Sequence, residues 1–534
     1  MSDSSWKDIF PSRIKYPDKS VFEYFQEIVE KSDENKILFK ERLRDYKARE
    51  IIEMTNKIAY FLDANTVEKN ETIAILLPNS IGFVISIFAS FQVGAKVTLI
   101  NPRLSQKEIA FQLRDSESKV LITNTDLCEK IAETVNQYQF KAKILVDDVE
   151  SEKIITQNQN CDLVLLSSIL GKEEKLTEIR SKTTDLAFLL YTGGTTGNAK
   201  AVMLTHSNVL ANALQFNEWA KEIPAEYTGC VVSALPMCHS FGLQCSFLAP
   251  LFRGEMIVII PKFEPKSLLK LMEDLHATSF YGVPTMYIAL LRSKIEKYNL
   301  ESLKVCVSGG SALPKEIHEE FQKKTSIAIT EGYGLTECSP VTHINPFGKA
   351  IVNSIGKPLT DTHARLVDPE TLAEVGEGEI GEILISGPQV MKGYLGKGLE
   401  SLNVFTSEGW LKTGDLARKD SENYYFIVDR SKDIINSGGL KVYPREVEEE
   451  LYKHPGVSFA AVIPVPDDYF GEVGKAFIVA KEGHKITEEE MKEFCLNQSM
   501  TKYKIPKSFE FVDSLPLSAA GKVLKRELII RENE

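Results

Sequence analysis

Eight short apolar runs, at 72–77, 97–100, 119–123, 143–147, 186–191, 230–235, 256–260 and 305–308, are continuous rather than alternating, and this constrains the fold most. A strand with one wet face alternates apolar and polar residues, whereas one that is apolar throughout needs cover on both faces, as in a parallel sheet flanked by helices. Helical patterns such as 267–275 and 315–323 separate the runs, so an α/β body with crossover connections is expected. The texture changes after about Asn345. Segments 363–367 and 382–386 flank the turn-rich Glu377-Gly378-Glu379, and 424–428 follows another turn, which reads as a small antiparallel barrel. A second change falls at Asp429-Arg430-Ser431-Lys432-Asp433. Beyond it lie a helix with Pro444 in its first turn and a stop at Pro455-Gly456, strands at 459–465 and 476–480, and a helix with Thr487 and Glu490 at capping-box spacing. The expected organisation is a large N-terminal domain, 1–430, made of α/β subdomains at about 1–180 and 181–345 plus the barrel at 346–430. A smaller α+β C-terminal domain follows at 431–534.

Composition narrows the function classes. At about 150 residues per domain, the 534 residues suggest three to four folding units. Hydrophobic content of 43% and charged content of 26% are ordinary for a globular chain and exclude disordered or fibrous classes. The 63 Lys and Arg against 75 Asp and Glu leave a net charge of −12, which argues against a nucleic-acid partner. The eight cysteines show no C-x2-C spacing and several sit in apolar runs, so reduced buried thiols are expected rather than zinc or disulfides. No signal-peptide pattern opens the sequence. The longest uncharged stretch, 81–95, is shorter than the roughly 20 residues a membrane-spanning helix needs and reads as a buried helix ending at Gly94. A soluble, cytoplasmic protein is expected, with membrane association left open.

The strongest local signal is Leu189-Leu190-Tyr191-Thr192-Gly193-Gly194-Thr195-Thr196-Gly197-Asn198-Ala199-Lys200. Here a buried strand runs into a segment of three glycines and three threonines closed by lysine. Glycines let backbone N–H groups curl around an anion, threonines add donors and lysine adds charge. The segment is not a Walker A loop: counting from Gly194, it lacks the second glycine and the Ser or Thr that would hold magnesium. Phosphate binding is the favoured reading, with a purely structural turn as the alternative.

This stretch, with Met203-Leu204-Thr205-His206, resembles the phosphate-loop signature of the adenylate-forming superfamily of acyl-CoA synthetases, luciferases and peptide-synthetase adenylation domains. Four further segments follow in that superfamily's order: Glu331-Gly332-Tyr333-Gly334-Leu335-Thr336-Glu337, Gly409-Trp410-Leu411-Lys412-Thr413-Gly414-Asp415, Asp429-Arg430-Ser431-Lys432-Asp433, and Pro516-Leu517-Ser518-Ala519-Ala520-Gly521-Lys522. Within it, Leu235-Pro236-Met237-Cys238-His239-Ser240-Phe241-Gly242 and Tyr443-Pro444-Arg445-Glu446-Val447-Glu448 look most like bacterial long-chain fatty acid–CoA ligases. Three departures stand out: Ala201 for a usual glycine, Leu517 for a common lysine, and an atypical 396–402 segment expected to be an exposed loop.

The resemblance implies roles for individual residues. Thr192, Gly193, Gly194, Thr195, Thr196, Gly197 and Lys200 would hold phosphates. Gly332, Tyr333 and Gly334 would face adenine, Thr336 the α-phosphate and Glu337 a Mg2+ ion. Asp415 and Arg430 would bind the ribose, and Lys522 would be a mobile cation reaching the α-phosphate and carboxylate. Lys432 would be the hinge about which the C-terminal domain turns. Ser437, Gly438, Gly439 and Lys441 would line the pantetheine passage. His239, Gly309 and Gly310 would border the acyl group, in a pocket built from 214–219, the His239 loop, 308–310 and 341–343. Read alone, Asp415 is an ordinary turn aspartate, Arg430 and Lys441 are surface residues, Lys522 is a solvated lysine and His239 is a satisfied core histidine.

The expected chemistry is charge neutralisation, since a carboxylate must approach the α-phosphate of ATP; no nucleophile elbow of G-x-S-x-G form is present. The implied activity converts a medium- to long-chain fatty acid to acyl-AMP and then to acyl-CoA. ATP, fatty acid and CoA are the small-molecule substrates, and Mg2+ is the cofactor. Loading of an acyl carrier protein, activation of an aryl or short-chain acid, and a catalytically silent nucleotide-binding scaffold are the alternatives. A homodimer and peripheral membrane contact for fatty acid supply are left open.

Overall fold

The computed structural model describes residues 13–33, 35–146, 163–192, 199–481, 483–498, 500–518 and 521–533. All eight expected apolar runs form strands, within a residue or two at each end, and they divide between two large sheets. One sheet has eight strands. Its parallel centre runs Leu186–Thr192, Lys96–Leu99, Thr72–Leu76, Ser118–Asn124, Ala142–Val146 and Leu163–Leu165, with Lys200–Thr205 and Gly393–Tyr394 added antiparallel at one edge. The other has nine strands. Its parallel centre runs Ile329–Gly334, Val305–Ser308, Ser279–Gly282, Cys230–Ser233, Met256–Ile259 and Ile37–Glu41, and short antiparallel strands close both edges. Every residue of Thr72–Leu76 and of Val305–Ser308 is buried, as two-sided cover requires.

Strand pairing crosses the boundary expected near residue 180 in both directions. Ile37–Glu41 joins the second sheet, while Leu186–Thr192 and Lys200–Thr205 join the first. Strand hydrogen bonds reward long-range partners as readily as near ones, and no composition shift marks such an exchange. Strand 143–147 is shifted by a residue to Ala142–Val146; Asp147 lies outside the described residues, as does Cys161. Five strands, Ile37–Glu41, Arg44–Lys47, Ser279–Gly282, Ile329–Gly334 and Val341–Ile344, carry too much charge, glycine or brevity to stand out by periodicity.

The apolar stretch 81–95 is the helix Ile81–Gln92, buried at every position and started by Ser80, whose hydroxyl accepts the Phe83 N–H. Phe91 meets Phe188 of the first sheet edge-on at 5.2 Å, and Phe88 lies 6.1 Å from Phe247 in the helical segment Gln244–Leu248. The helix is apolar all round because it is covered on all sides. Among the described residues, no helix is long and apolar enough to cross a membrane.

The expected barrel region is a four-stranded antiparallel sheet in the order His363–Val367, Gly381–Ser386, Leu411–Lys419, Tyr425–Arg430. From Ile435 onward the chain builds its own sheet around the paired strands Val457–Asp467 and Gly471–Ala480, with the helices Pro444–Tyr452 and Glu488–Asn497 packed against it. Its two apolar clusters, one with Ile435, Leu451 and Met491 and the other with Ile463, Phe477 and Leu528, contain no residue before 435. The large central cluster contains none after 427.

Candidate active site

The residues around Tyr333 are set by close backbone packing. Strand Ile329–Gly334 turns away beside Val341–Ile344, and a Cβ on Gly334 would lie 1.9 Å from the Pro340 carbonyl oxygen, so only glycine fits there. Between Gly332 and Gly334, Tyr333 donates its hydroxyl to Asp415 Oδ2 at 2.5 Å. The other carboxylate oxygen, Oδ1, accepts from Arg430 Nε at 3.1 Å, because Asp415 and Arg430 face each other across neighbouring strands. Asp415 is almost fully buried, and it follows Gly414, whose φ of +74° falls where the strand Leu411–Lys419 pairs irregularly with Gly381–Ser386. Three residues from three separate sequence segments therefore share one carboxylate, with charge and hydrogen bonding satisfied together.

Beside them is a cavity of about 50 Å³, whose walls include Phe216, His239, Ser308, Gly310, Thr336 and Lys522. The His239 loop is held from beneath by Asn79, which donates to the Leu235 carbonyl at 2.8 Å and accepts the Met237 N–H at 2.7 Å. His239 Nδ1 caps the turn Ser240–Leu243 by accepting the Phe241 N–H at 3.3 Å. Burial, together with the nearby Lys522 charge, pushes its pKa down to about 3, so at neutral pH the ring is uncharged and its proton is on Nε2. Thr336 Oγ1 lies 3.1 Å from Ser240 Oγ. Ser308 Oγ is buried at the wall without a hydrogen-bond partner among the described residues.

Lys522 reaches this cavity from the C-terminal unit. A Cβ on Gly310, where φ is +86°, would lie 3.3 Å from Lys522 Cε, so the bare glycine gives the lysine its place. Burial and Arg430 lower the Lys522 pKa, while Asp415 and Glu337 act against them. Glycine-lined backbone, a neutral imidazole and a partly desolvated ammonium thus converge on one small space. That arrangement suits neutralising an anion.

Glu337 stands at the edge of the same site in the turn Thr336–Cys338, where Oε1 accepts from the Tyr394 hydroxyl at 2.8 Å. Lys200 lies 5.4 Å from the Tyr394 ring centroid and pairs with Glu400 at 2.7 Å. Glu400 belongs to the helix Gly398–Asn403, which replaces the plain loop expected at 396–402, although Leu399 is 79% exposed. Thr192 faces Lys200 across the hairpin. Gly193, Gly194, Thr195, Thr196 and Gly197 lie outside the described residues. Among the described residues there is no cluster of three His, Cys, Asp or Glu side chains fit to hold a metal.

Gly309 also lines this cavity, but Lys432, Ser437, Gly438, Gly439 and Lys441 do not reach it. Lys432 is exposed between the strands Tyr425–Arg430 and Ile435–Ser437. Gly438 and Gly439, with φ of +60° and +83°, turn the hairpin from Ile435–Ser437 to Leu440–Val442, on which Lys441 is exposed. Ser437 instead borders a second cavity of about 540 Å³ in the C-terminal unit, lined also by Phe470, Tyr503, Lys492, Lys502 and Lys507; Lys492 pairs with Glu488 and Lys507 with Asp467.

Sequence reasoning missed Tyr394 and Glu400, which lie outside any motif, and the aromatic pair Phe470 and Tyr503, where an exposed aromatic beside lysines was the available signal. Trp219 does not line the first cavity: it packs 5.0 Å behind Phe216 and donates Nε1 to the Asn345 carbonyl at 3.0 Å.

The sequence matches the family described as AMP-binding enzyme over residues 25–395 and the AMP-binding enzyme C-terminal domain over 446–522. It is 37% identical to a long-chain-fatty-acid–CoA ligase of Bacillus subtilis (strain 168), covering 98% of this chain and 93% of that protein. Its fold is similar to an anthranilate CoA ligase in complex with anthranoyl-AMP, with a TM-score of 0.87, 26% identity and coverage of 100% and 99%. It is also similar to ATP-bound MatB from Rhodopseudomonas palustris, with a TM-score of 0.84, 28% identity and coverage of 96% and 99%. Separate glycine, carboxylate and lysine segments that meet at one anion-neutralising cavity, together with matches spanning both parts of the chain, show that this protein belongs to the AMP-binding enzyme family.

Proposed function

We propose that this chain is an AMP-forming fatty acid–CoA ligase, which converts a medium- to long-chain fatty acid and ATP to acyl-AMP and pyrophosphate, and then acyl-AMP and CoA to acyl-CoA and AMP. The observation that carries this reading is Lys522 standing against Gly310, in the cavity shared with His239 and Thr336 and beside the Tyr333–Asp415–Arg430 group. In the first step a carboxylate oxygen attacks the α-phosphorus and the bond to pyrophosphate breaks. Lys522, with Thr336, neutralises the negative charge gathering there, and neutral His239 orients the carboxylate without competing for its charge. Asp415 and Arg430 hold the ribose, and the face of Tyr333 packs on adenine. Lys200, with the threonine-rich segment that precedes it, receives the outer phosphates.

Mg2+ suits this donor set. It is commonly held by one or two carboxylates with the rest of its shell from phosphates and water, and Glu337 offers one carboxylate at the phosphate end. When bound, the ion supplies neutralisation of the phosphate oxygens.

The second step needs a thiol where Lys522 now stands, so residues 431–534 turn about Lys432 as a body. Their separate apolar clusters support such a movement. Ser437, Gly438 and Gly439 then come to line the thiol passage, with Lys441 alongside. The cavity that Ser437 borders carries two aromatic residues, Phe470 and Tyr503, suited to stacking on a base, and Lys502, suited to a phosphate, which favours CoA over a carrier protein as acceptor.

Acid-dependent ATP–pyrophosphate exchange across straight-chain acids of increasing length, followed by thioester formation with CoA or with a pantetheinylated carrier, tests this reading. Exchange with no fatty acid would overturn it. The narrowness of the first cavity favours a second reading, an aryl or short-chain acid, because about 50 Å³ holds only a few water molecules. Exchange with benzoate or anthranilate but not with longer acids would select that reading.

A further inference from the structure

Two arginines cross between the large body and the C-terminal unit, and neither belongs to the machinery described above. Arg445 begins the helix Pro444–Tyr452 of the C-terminal unit, but its partners lie on the other side of Lys432. Nη1 donates to the Ile427 carbonyl at 3.0 Å, and the backbone N–H donates to Asp429 Oδ2 at 2.9 Å. Within its own helix it also donates Nε to Glu449 at 3.3 Å, and Glu449 in turn accepts from Asn353 of the large body at 3.5 Å. Its side chain is 13% exposed.

At a separate contact between the two parts, Arg292 closes the helix Pro284–Arg292 of the large body. It donates to Ser458 Oγ and lies 5.6 Å from the centroid of the Phe459 ring, both on the first long strand of the C-terminal unit. The start of that same helix receives the loop carrying Lys522: a Cβ on Gly521 would lie 2.9 Å from Thr285 Oγ1 and 3.0 Å from Val283 Cγ2. One helix of the large body is therefore engaged at both ends.

We propose that Arg445 and Arg292 are positioning residues for acid activation: a two-point clamp that holds the C-terminal unit with Lys522 in the cavity and is released before the thiol step. A turn about Lys432 carries the Arg445 helix away from Ile427 and Asp429, which precede the pivot, and carries Ser458 and Phe459 away from Arg292. Neither arginine touches the reacting atoms; each acts by setting the population in which Lys522 is home. The strand holding Ile427 and Asp429 ends in Arg430, the partner of Asp415, so ordering of the ribose site steadies the clamp from the nucleotide side.

The inference rests on the two-arrangement reading above, and the two are separable by experiment. Arg445→Ala and Arg292→Ala are compared with the parent in acid-dependent ATP–pyrophosphate exchange and in acyl-CoA formation from supplied acyl-AMP. Loss of one charged hydrogen-bonded contact is expected to lower the kcat of exchange about tenfold in each variant, with KM for ATP nearly unchanged. The thiol step is expected to hold its rate or rise, and Arg445→Lys and Arg292→Lys are expected to restore part of the exchange. Equal losses in both half-reactions, or exchange at the parental rate, would overturn the clamp. Should Arg445→Ala fail to fold, Arg292→Ala decides by the same ratio, because that side chain lies at the surface. A Lys522→Ala control that impairs both steps alike would instead refute the turning domain itself.

Discussion

The end of the site proposed to take the nucleotide and the end proposed to take the acyl group are built on opposite principles. At the nucleotide end, Tyr333, Asp415 and Arg430 are locked to one another by hydrogen bonds of 2.5 and 3.1 Å, and Gly334 is forced by a neighbouring carbonyl. At the acyl end the wall is Phe216, Val307, Val341 and Ile344, apolar side chains that share a space without directing one another. A charge needs a partner at a fixed point, whereas an apolar surface needs only to be filled. The first end should therefore tolerate almost no substitution, while the second should change its preference and keep its activity.

The largest effect is expected at Lys522. Removing a charge that acts on the transition state costs on the order of 100-fold or more. Lys522→Ala should lose at least that in acid-dependent pyrophosphate exchange while still making thioester from supplied acyl-AMP; parallel half-reaction assays measure the split. Next comes Asp415→Ala, which frees Tyr333 and leaves Arg430 unpaired. About 10- to 100-fold lower kcat/KM for ATP is expected, from the loss of charge-assisted hydrogen bonds, and unchanged ATP kinetics would remove the contrast drawn here. At the acyl end, Phe216→Ala should move the optimum toward longer or bulkier acids by about tenfold in relative kcat/KM while leaving ATP parameters alone. Competition between two acids of different length would read this directly, and a uniform loss across all acids would show Phe216 to be structural.

The smallest effect concerns Glu331, buried just before the adenine segment. Its carboxylate accepts from the Leu313 and Asn353 N–H groups, and burial, only partly offset by the nearby Arg445, raises its pKa to about 7. With its folded pKa above its unfolded value, Glu331 binds its proton more tightly in the folded state. Its contribution is fully present below the unfolded pKa, and stability falls as pH rises from about 4.5 through about 7. Glu331→Gln should remove that fall, gaining about 1–3 kcal/mol relative to the parent between pH 5 and pH 8. Denaturant titrations at the two pH values would detect it, and a pH-independent difference would place the charge elsewhere.

Legibility in the sequence follows the same division. Tyr333, Glu337, Asp415, Arg430 and Lys522 could be singled out because their segments resemble those of the adenylate-forming superfamily; read alone, Asp415, Arg430 and Lys522 carry no mark that sets them apart from ordinary turn and surface residues. Those five residues do converge in the fold. The apolar parallel strands could be read because two-sided burial erases alternation, and all eight runs form strands. Strand exchange between the sheets could not be read, since Ile37–Glu41 finds Met256–Ile259 across more than two hundred residues with no local mark of its partner. Tyr394 was equally hidden. It lies in a two-residue edge strand, and its contact with Glu337 exists only once Gly393–Tyr394 pairs with Lys200–Thr205. Phe216 was placed near the acyl end only as part of a six-residue span, and which member of the span faces inward was decided by packing.

The ion pair between Lys200 and Glu400 bears on how the protein tells its nucleotides apart. On the proposed reading, in which Lys200 receives the outer phosphates, an arriving triphosphate would have to take the lysine from a carboxylate already in possession. A ligand bringing several negative oxygens to that spot would win the exchange more easily than one ending at a single phosphate. Once pyrophosphate had departed, Glu400 would reclaim its lysine, so that a surface glutamate in the segment that departs from the family pattern would favour charging over product retention and give each turnover a direction.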